Sequence, residues 1–110
     1  MATYQTIILP AFRKELKPYI KKFRSLKDSI IDLLDNFNHA QHINLGNGIY
    51  KIRLKIKEIP KGKSKSFRLI VLIMEIEKYL VPITIYFKGD QEDITKKELN
   101  TKLEAVLSEK

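Results

Sequence analysis

Residues 49–57 read IYKIRLKIK, and this stretch decides the fold. Successive side chains of an extended strand point to opposite faces of a sheet, so the alternation predicts a strand with one apolar and one basic face. The apolar face carries Tyr50, Ile52, Leu54 and Ile56. The basic face carries Lys51, Arg53, Lys55 and Lys57, spaced about 7 Å apart, and we call these four residues the cation row.

Two apolar stretches after the cation row continue the sheet. Residues 66–76, SFRLIVLIMEI, predict a buried strand. Residues 79–87, YLVPITIYF, predict a third strand, in which Pro82 indicates an edge or the first residues of the strand. A short stretch near the N-terminus, YQTIIL over residues 4–9, predicts one further strand.

A helix hairpin is predicted ahead of the cation row. Apolar residues recur on one helical face over residues 10–23. Pro10 suits the first helical position, and we expect Pro18 to kink or restart the helix. Ser25 predicts the N-cap of a second helix, whose apolar face extends to Phe37. Because the joint between them is short, the two helices should pack as an antiparallel hairpin.

Other segments join and follow these elements. Residues 38–48 predict a loop that ends in a Gly-Asn-Gly turn. Thr95 and Glu98 have the spacing of a capping box at the start of a last helix. The element order is therefore β-α-α-β-β-β-α, an α+β fold in which an antiparallel sheet packs on a helix hairpin. A chain of 110 residues predicts one domain over residues 1–110.

Charge and composition limit the function. Lys and Arg number 21 against 13 Asp and Glu, and the formal net charge of +8 favours polyanionic partners such as RNA, DNA, an acidic protein or an anionic membrane. The chain has no cysteine, which excludes disulfides and fits the cytoplasm. The longest nearly apolar run, residues 69–74, is far too short to cross a bilayer. The N-terminus lacks the basic segment of a secretory signal. We therefore expect a cytoplasmic protein.

The cation row predicts a binding site for the phosphates of a single RNA strand. The alternative is a solvated sheet face, but such a face usually mixes charges of both signs because like charges on neighbouring strands repel. Three lysines extend the row into the next loop as phosphate anchors: Lys61, Lys63 and Lys65. The two histidines, His39 and His42, have no cysteine or carboxylate that completes a metal site, so we expect neither metal nor cofactor.

Three stretches resemble, in this order, the RelE/ParE family of type II toxin–antitoxin toxins. They are FRKELKPYIKKFRSLKDSIIDLL, LGNGIYKIRLKIKEIPKGKSKSFRLI and ITIYFKGDQEDITKKEL. The resemblance implies a RelE-like β-α-α-β-β-β core with a C-terminal helix and a cognate antitoxin protein. It implies an endoribonuclease that cuts mRNA on the ribosome, an mRNA interferase that inhibits translation. Two alternatives are a gyrase-inhibiting ParE-like toxin and a catalytically inactive RNA-binding relative.

The resemblance also places candidate catalytic residues. Arg53 matches the arginine of the central strand, Arg68 that of the following strand, and Lys88 the lysine that ends the last strand. We expect Arg53 and Arg68 to bind the reacting phosphate, because a guanidinium pairs bidentately with phosphate oxygens. Lys55 is the candidate base, since neighbouring cations and partial burial would favour the neutral lysine. Lys88 or Tyr86 would protonate or stabilise the leaving oxygen.

Overall fold

A computed structural model describes residues 4–58, 66–87 and 94–108 of the protein. Its helices are α1 (Pro10–Lys22), α2 (Leu26–Asp35) and α3 (Lys96–Leu107), with a short 3-10 turn at His39–Gln41. Its strands are β1 (Gln5–Thr6), β2 (Ile43–Gly46), β3 (Ile49–Leu54), β4 (Phe67–Met74) and β5 (Tyr79–Phe87). The strands form one sheet in the order β1-β5-β4-β3-β2. The predicted α+β class is confirmed.

The sheet is antiparallel except at one edge. β2, β3, β4 and β5 pair antiparallel in succession, whereas β1 pairs parallel with β5 through Gln5 and Thr6. Because β1 has only two residues, it leaves most of the outer edge of β5 uncovered. Pro82 lies in this uncovered part, where a bulge shifts the register between Ile70 and Val71. β5 nevertheless lies between β1 and β4, and Pro82 is its fourth residue, so neither the expected edge strand nor the expected strand start is what the structure has. The strand tolerates the proline because β1 does not pair with it.

β2 corrects the expected loop over residues 38–48. Ile43 pairs with Lys51 and Asn44 pairs with Tyr50, so the segment INLG forms the edge strand next to β3. All four of its residues are exposed, and the strand therefore has no alternation of apolar and polar residues to read. The expected Gly-Asn-Gly turn is present. Gly48 has φ +79°, and a Cβ there would lie 2.8 Å from the carbonyl oxygen of Ile73.

Pro18 does not interrupt α1, contrary to the expected kink or restart. The helix runs continuously through it. Proline removes one backbone hydrogen bond, but packing on both sides of Pro18 offsets that loss. Phe12 is buried, and Leu16, Tyr19 and Ile20 pack against the same core cluster. Tertiary contacts therefore decide the continuity of this helix.

The core has two parts, one on each face of the sheet. The helix hairpin covers one face, where Phe12 and Leu26 pack with Ile52, Phe67 and Leu69. α3 covers part of the other face, where its residue Val106 packs with a second cluster that includes Ile70, Ile83 and Tyr86. The predicted capping box is confirmed at the start of α3: Glu98 N–H donates to Thr95 Oγ1 at 3.1 Å, and Thr95 N–H donates to the Glu98 carboxylate at 3.2 Å. The cation row belongs to the face opposite the helix hairpin.

Candidate nucleic-acid interface

Three of the predicted catalytic residues form one row across the sheet. Arg53 of β3 lies directly opposite Arg68 of β4, and Arg68 lies directly opposite Tyr86 of β5. Residues that are directly opposite in an antiparallel pair point to the same face, with Cα atoms about 4.5–5.5 Å apart. The register thus brings together side chains from three separate stretches of sequence. We call these three residues the arginine row.

The members of the arginine row differ in exposure. Arg53 is exposed, whereas Arg68 is only 3 % exposed and Tyr86 only 4 %. The Nη1 group of Arg68 donates a hydrogen bond to Ser66 Oγ. The Tyr86 hydroxyl accepts a hydrogen bond from the backbone N–H of Ile94, at 3.3 Å, just before α3. Arg53 is therefore the member of the row that a ligand in solvent meets first.

The alternation along the cation row is confirmed, although the strand is shorter than predicted. Ile52, Leu54 and Ile56 are buried, while Arg53, Lys55 and Lys57 are exposed and Lys51 is half-buried. β3 ends at Leu54, so Lys55 and Lys57 follow the strand instead of lying within it. The exposure of Lys55 contradicts the partial burial expected of the candidate base.

Four of the predicted residues lie outside the described residues: Lys61, Lys63, Lys65 and Lys88. Their assignments stay predictions. Within residues 4–58, 66–87 and 94–108, no three histidine, aspartate or glutamate side chains cluster in a way that could hold a metal ion. Over the same residues, no helix is both long and apolar enough to span a membrane.

A contact between Ser25 and Glu58 was not predicted. Ser25 occupies the N-cap position of α2, as expected, but its side chain makes no capping hydrogen bond. Instead, the backbone N–H of Ser25 donates to Glu58 Oε2 at 3.0 Å, and its hydroxyl donates to the same carboxylate. These hydrogen bonds lower the pKa of Glu58. The carboxylate of Glu58 therefore accepts a backbone N–H that would otherwise lack a partner at the start of α2. Ser25 and Glu58 lie too far apart in the sequence for local spacing to predict this contact.

Glu15 is a second residue that sequence reasoning missed. Its Oε1 accepts hydrogen bonds from the hydroxyl of Thr84 and from the backbone N–H of Ile85, the latter at 2.8 Å. Its Oε2 accepts from Lys102 Nζ at 2.7 Å. Glu15 thus satisfies a backbone donor on the part of β5 that β1 leaves open, and it connects α1, β5 and α3. A cavity of about 240 Å³ beside this carboxylate is also lined by Tyr86.

An apolar groove lies on the other side of the molecule, between β1, α1 and α2. Its volume is about 380 Å³. Ile8 and Ile31 line it and are 36 % and 47 % exposed, which is high for large apolar side chains. Arg13 and Lys27 line it as well. A cleft that exposes apolar side chains beside cations has the character of a protein-binding surface.

The fold and the cation row define the class of protein. It is a small α+β protein whose sheet has a basic face on one side and a helix hairpin on the other. A family model described as the RelE toxin of the RelE/RelB toxin–antitoxin system matches residues 11–108. The chain belongs to this family, which confirms the resemblance read from the sequence. The fold is similar to that of a double arginine-to-alanine mutant of E. coli toxin RelE in the free state. That similarity has a TM-score of 0.50 and 14 % sequence identity, and covers 98 % of this chain and 97 % of the other. A sequence search of curated proteins gave no match.

Proposed function

We propose that this toxin is an endoribonuclease that cuts mRNA on the ribosome, in the cytoplasm, and that it needs no metal or cofactor. The observation that carries the proposal is the exposed guanidinium of Arg53, which lies directly opposite Arg68 at the centre of the cation row. A row of cations suits the repeating charge of an RNA backbone. Within the row, the guanidinium of Arg53 suits the one phosphate at which charge develops during cleavage, and the buried Arg68 adds positive charge behind it.

RNA supplies its own nucleophile. The 2′-oxygen attacks the adjacent phosphorus, the bond from phosphorus to the 5′-oxygen breaks, and the products are a 2′,3′-cyclic phosphate and a 5′-hydroxyl. The base takes the proton of the 2′-hydroxyl, and an acid gives one to the departing 5′-oxygen. Arg53 binds the non-bridging oxygens, with Arg68 behind it.

The two proton transfers need a base and an acid. Lys55 is the candidate base, on the same face as Arg53 and about 7 Å along the chain. Lys88 and Tyr86 are the candidate acids. Tyr86 is buried and its hydroxyl already accepts a hydrogen bond from Ile94. This favours a positioning role for Tyr86 and leaves the acid to Lys88.

Induced expression tests the proposal. We expect growth to stop and primer extension to show new 5′ ends in translated messages. Arg53→Ala should abolish these ends, whereas Arg13→Ala, which removes an exposed arginine from α1, should retain them. Arg53→Lys should restore activity only in part, because an ammonium lacks the bidentate fork. Growth arrest with intact messages and broken DNA would establish the gyrase-inhibiting alternative instead. Binding of RNA with neither effect would establish the inactive relative.

Loop lysines should act differently from Arg53. Lys61, Lys63 and Lys65 are expected to anchor phosphates away from the reacting centre. Removing one of them should weaken RNA binding and reduce the salt dependence of log K by about 0.7, the value for one single-strand phosphate. The cleavage rate at saturating RNA should stay the same. A loss of rate equal to that of Arg53→Ala would contradict this division.

The partner of a RelE toxin is a cognate antitoxin, and we propose how it binds this chain. The net charge of +8 favours an acidic segment. The groove beside Ile31 favours an amphipathic one, which would lie across the helix hairpin and extend towards Arg53 and Arg68. Association should slow as salt rises, because screening weakens attraction between exposed charges. Ile31→Asp should weaken the complex mainly through faster dissociation. An association rate that ignores salt would contradict the acidic partner.

A further inference from the structure

Two segments contain all of the net positive charge of the chain. Residues 51–65 have seven Lys and Arg against one Glu, and residues 13–27 also have seven against one. Each segment therefore has a net charge of +6, while the rest of the chain, with seven cations and eleven carboxylates, has −4. The proposed function uses the first segment only. The second includes four exposed cations around the joint between α1 and α2, which we call the basic joint: Lys21, Lys22, Arg24 and Lys27.

Aromatic packing places the basic joint at the same end of the sheet as the arginine row. Phe23, in the joint, packs edge-on against Phe67 with ring centroids 5.2 Å apart and stacks with Phe87 at 6.1 Å. Phe67 and Phe87 pair directly with each other in the sheet. They are the immediate chain neighbours of Arg68 and Tyr86. The joint therefore lies next to the predicted site and far from the opposite end of the strands.

The contact between Ser25 and Glu58 connects the basic joint to the cation row. Glu58 follows Lys57, the last cation of the row. Its carboxylate accepts hydrogen bonds from the backbone N–H and the hydroxyl of Ser25. Arg24 precedes Ser25 directly. The N–H groups at the start of α2 offset the charge of Glu58. Asp28, in the first turn of α2, is a further carboxylate beside Lys27. The Ser25–Glu58 contact therefore puts the basic joint beside the end of the row at Lys57.

Helix stability does not account for all four of these cations. Lys21 and Lys22 lie in the last turn of α1, where the helix dipole favours positive charge. Arg24 and Lys27 lie at the start of α2, where the dipole disfavours it. Their positions are unfavourable for the helix and favourable for binding an anion.

We propose that the basic joint binds phosphates of the same RNA strand that occupies the cation row, and so extends the RNA-binding surface past Lys57. This inference rests on the proposed function to the extent that RNA must occupy the row. It adds a second binding region, formed by Arg24 and Lys27 together with the end of α1. Short RNA should fill the row alone, and only longer RNA should reach the joint.

Binding of 2′-O-methyl RNA tests the inference, because this RNA lacks the nucleophile and stays intact. We would compare RNAs of about 4 and about 16 nucleotides, the range over which single-strand sites differ in size. For the longer RNA, Arg24→Ala/Lys27→Ala should reduce the salt dependence of log K by about 1.4, equivalent to two phosphates. For the shorter RNA it should change nothing. The matched control is Arg13→Ala/Lys14→Ala, which removes the same charge about 12 Å or more away along α1.

The outcomes separate the inference from its alternatives. Equal losses for the two double variants, or equal losses for the two RNA lengths, would overturn it, because either indicates an effect of net charge alone. The thermal midpoint of Arg24→Ala/Lys27→Ala should equal or exceed that of the wild type, and a lower midpoint with losses at both lengths would also overturn it. Cleavage is measured separately on translated messages. A joint that binds RNA in a protein without cleavage activity would refute the proposed function and leave the inference intact.

Discussion

Replacing Glu15 by alanine should destabilise the fold far more than the loss of a surface charge. The carboxylate of Glu15 accepts the hydroxyl of Thr84, the backbone N–H of Ile85 and the ammonium of Lys102. Thr84 and Ile85 are each 2 % exposed, so a water that replaces the lost acceptor has to come from the adjoining cavity of about 240 Å³. Lys102 is 47 % exposed and remains hydrated without its partner.

The size of the effect follows from these three bonds. A buried donor left without an acceptor costs about 1–3 kcal/mol, and Glu15→Ala leaves two of them. The exposed pair with Lys102 contributes about 0–1 kcal/mol. The free energy of unfolding should therefore fall by about 2–7 kcal/mol, a large part of the about 5–15 kcal/mol typical of a domain. For a chain of this size, the thermal midpoint should fall by about 10–30 °C.

Urea and thermal unfolding of Glu15→Ala and of three further variants separate the contributions of the hydrogen bonds that Glu15 accepts. Lys102→Ala should cost about 0–1 kcal/mol. Thr84→Val should cost about 1 kcal/mol, since it removes the donor along with the bond. In Glu15→Ala/Thr84→Val the free energy of unfolding should fall by less than the sum of the two single losses, because the Thr84 hydroxyl is no longer there to be left without an acceptor. If Glu15→Ala costs no more than Lys102→Ala, then Glu15 is an ordinary surface carboxylate and this reasoning is refuted.

Three further predictions test single positions. Lys55→Met should remove the rise of the single-turnover cleavage rate with pH while weakening RNA binding only modestly; an unchanged pH profile would mean that Lys55 only contacts phosphate. Gly48→Ala should lower the free energy of unfolding by about 1–3 kcal/mol, because φ is positive and the new Cβ would meet the Ile73 carbonyl; a neutral change in urea unfolding would show that the turn relaxes. Burial lowers the pKa of His42, which stacks on Phe37. In the unfolded chain the imidazole of His42 binds a proton more readily than in the folded protein, so the free energy of unfolding should decrease as pH falls from about 6.5. Urea unfolding of His42→Gln should lose that part of the pH dependence.

The sequence by itself determined the class of the fold and the chemistry of one face. The alternation from Tyr50 to Lys57 is a local signal, because the two faces of a strand are set by neighbouring residues alone. The capping box of Thr95 and Glu98 is local as well, with all of its atoms within one turn of chain. Patterns of this kind predicted α3, β3 to β5, both hairpin helices and the basic face with Arg53 and Lys57, but they did not predict the full exposure of Lys55.

The tertiary structure decided what local patterns cannot encode. The edge strand β2 has no buried face, so only its partner strand reveals it. Packing by Phe12 and Leu16 continues α1 through Pro18, against the local preference of proline. The register of the sheet aligns Arg53, Arg68 and Tyr86.

Exposure, too, depends on contacts between distant residues. Arg53 and Arg68 are both arginines on predicted strands, yet one is exposed and the other buried, because β4 is the central strand whereas β3 has only the exposed edge strand β2 beyond it. Glu15 reaches Thr84, and Glu58 reaches Ser25, across separations of 69 and 33 residues. Such contacts form only when the helices pack on the sheet, and the spacing of residues along the chain carries no record of them.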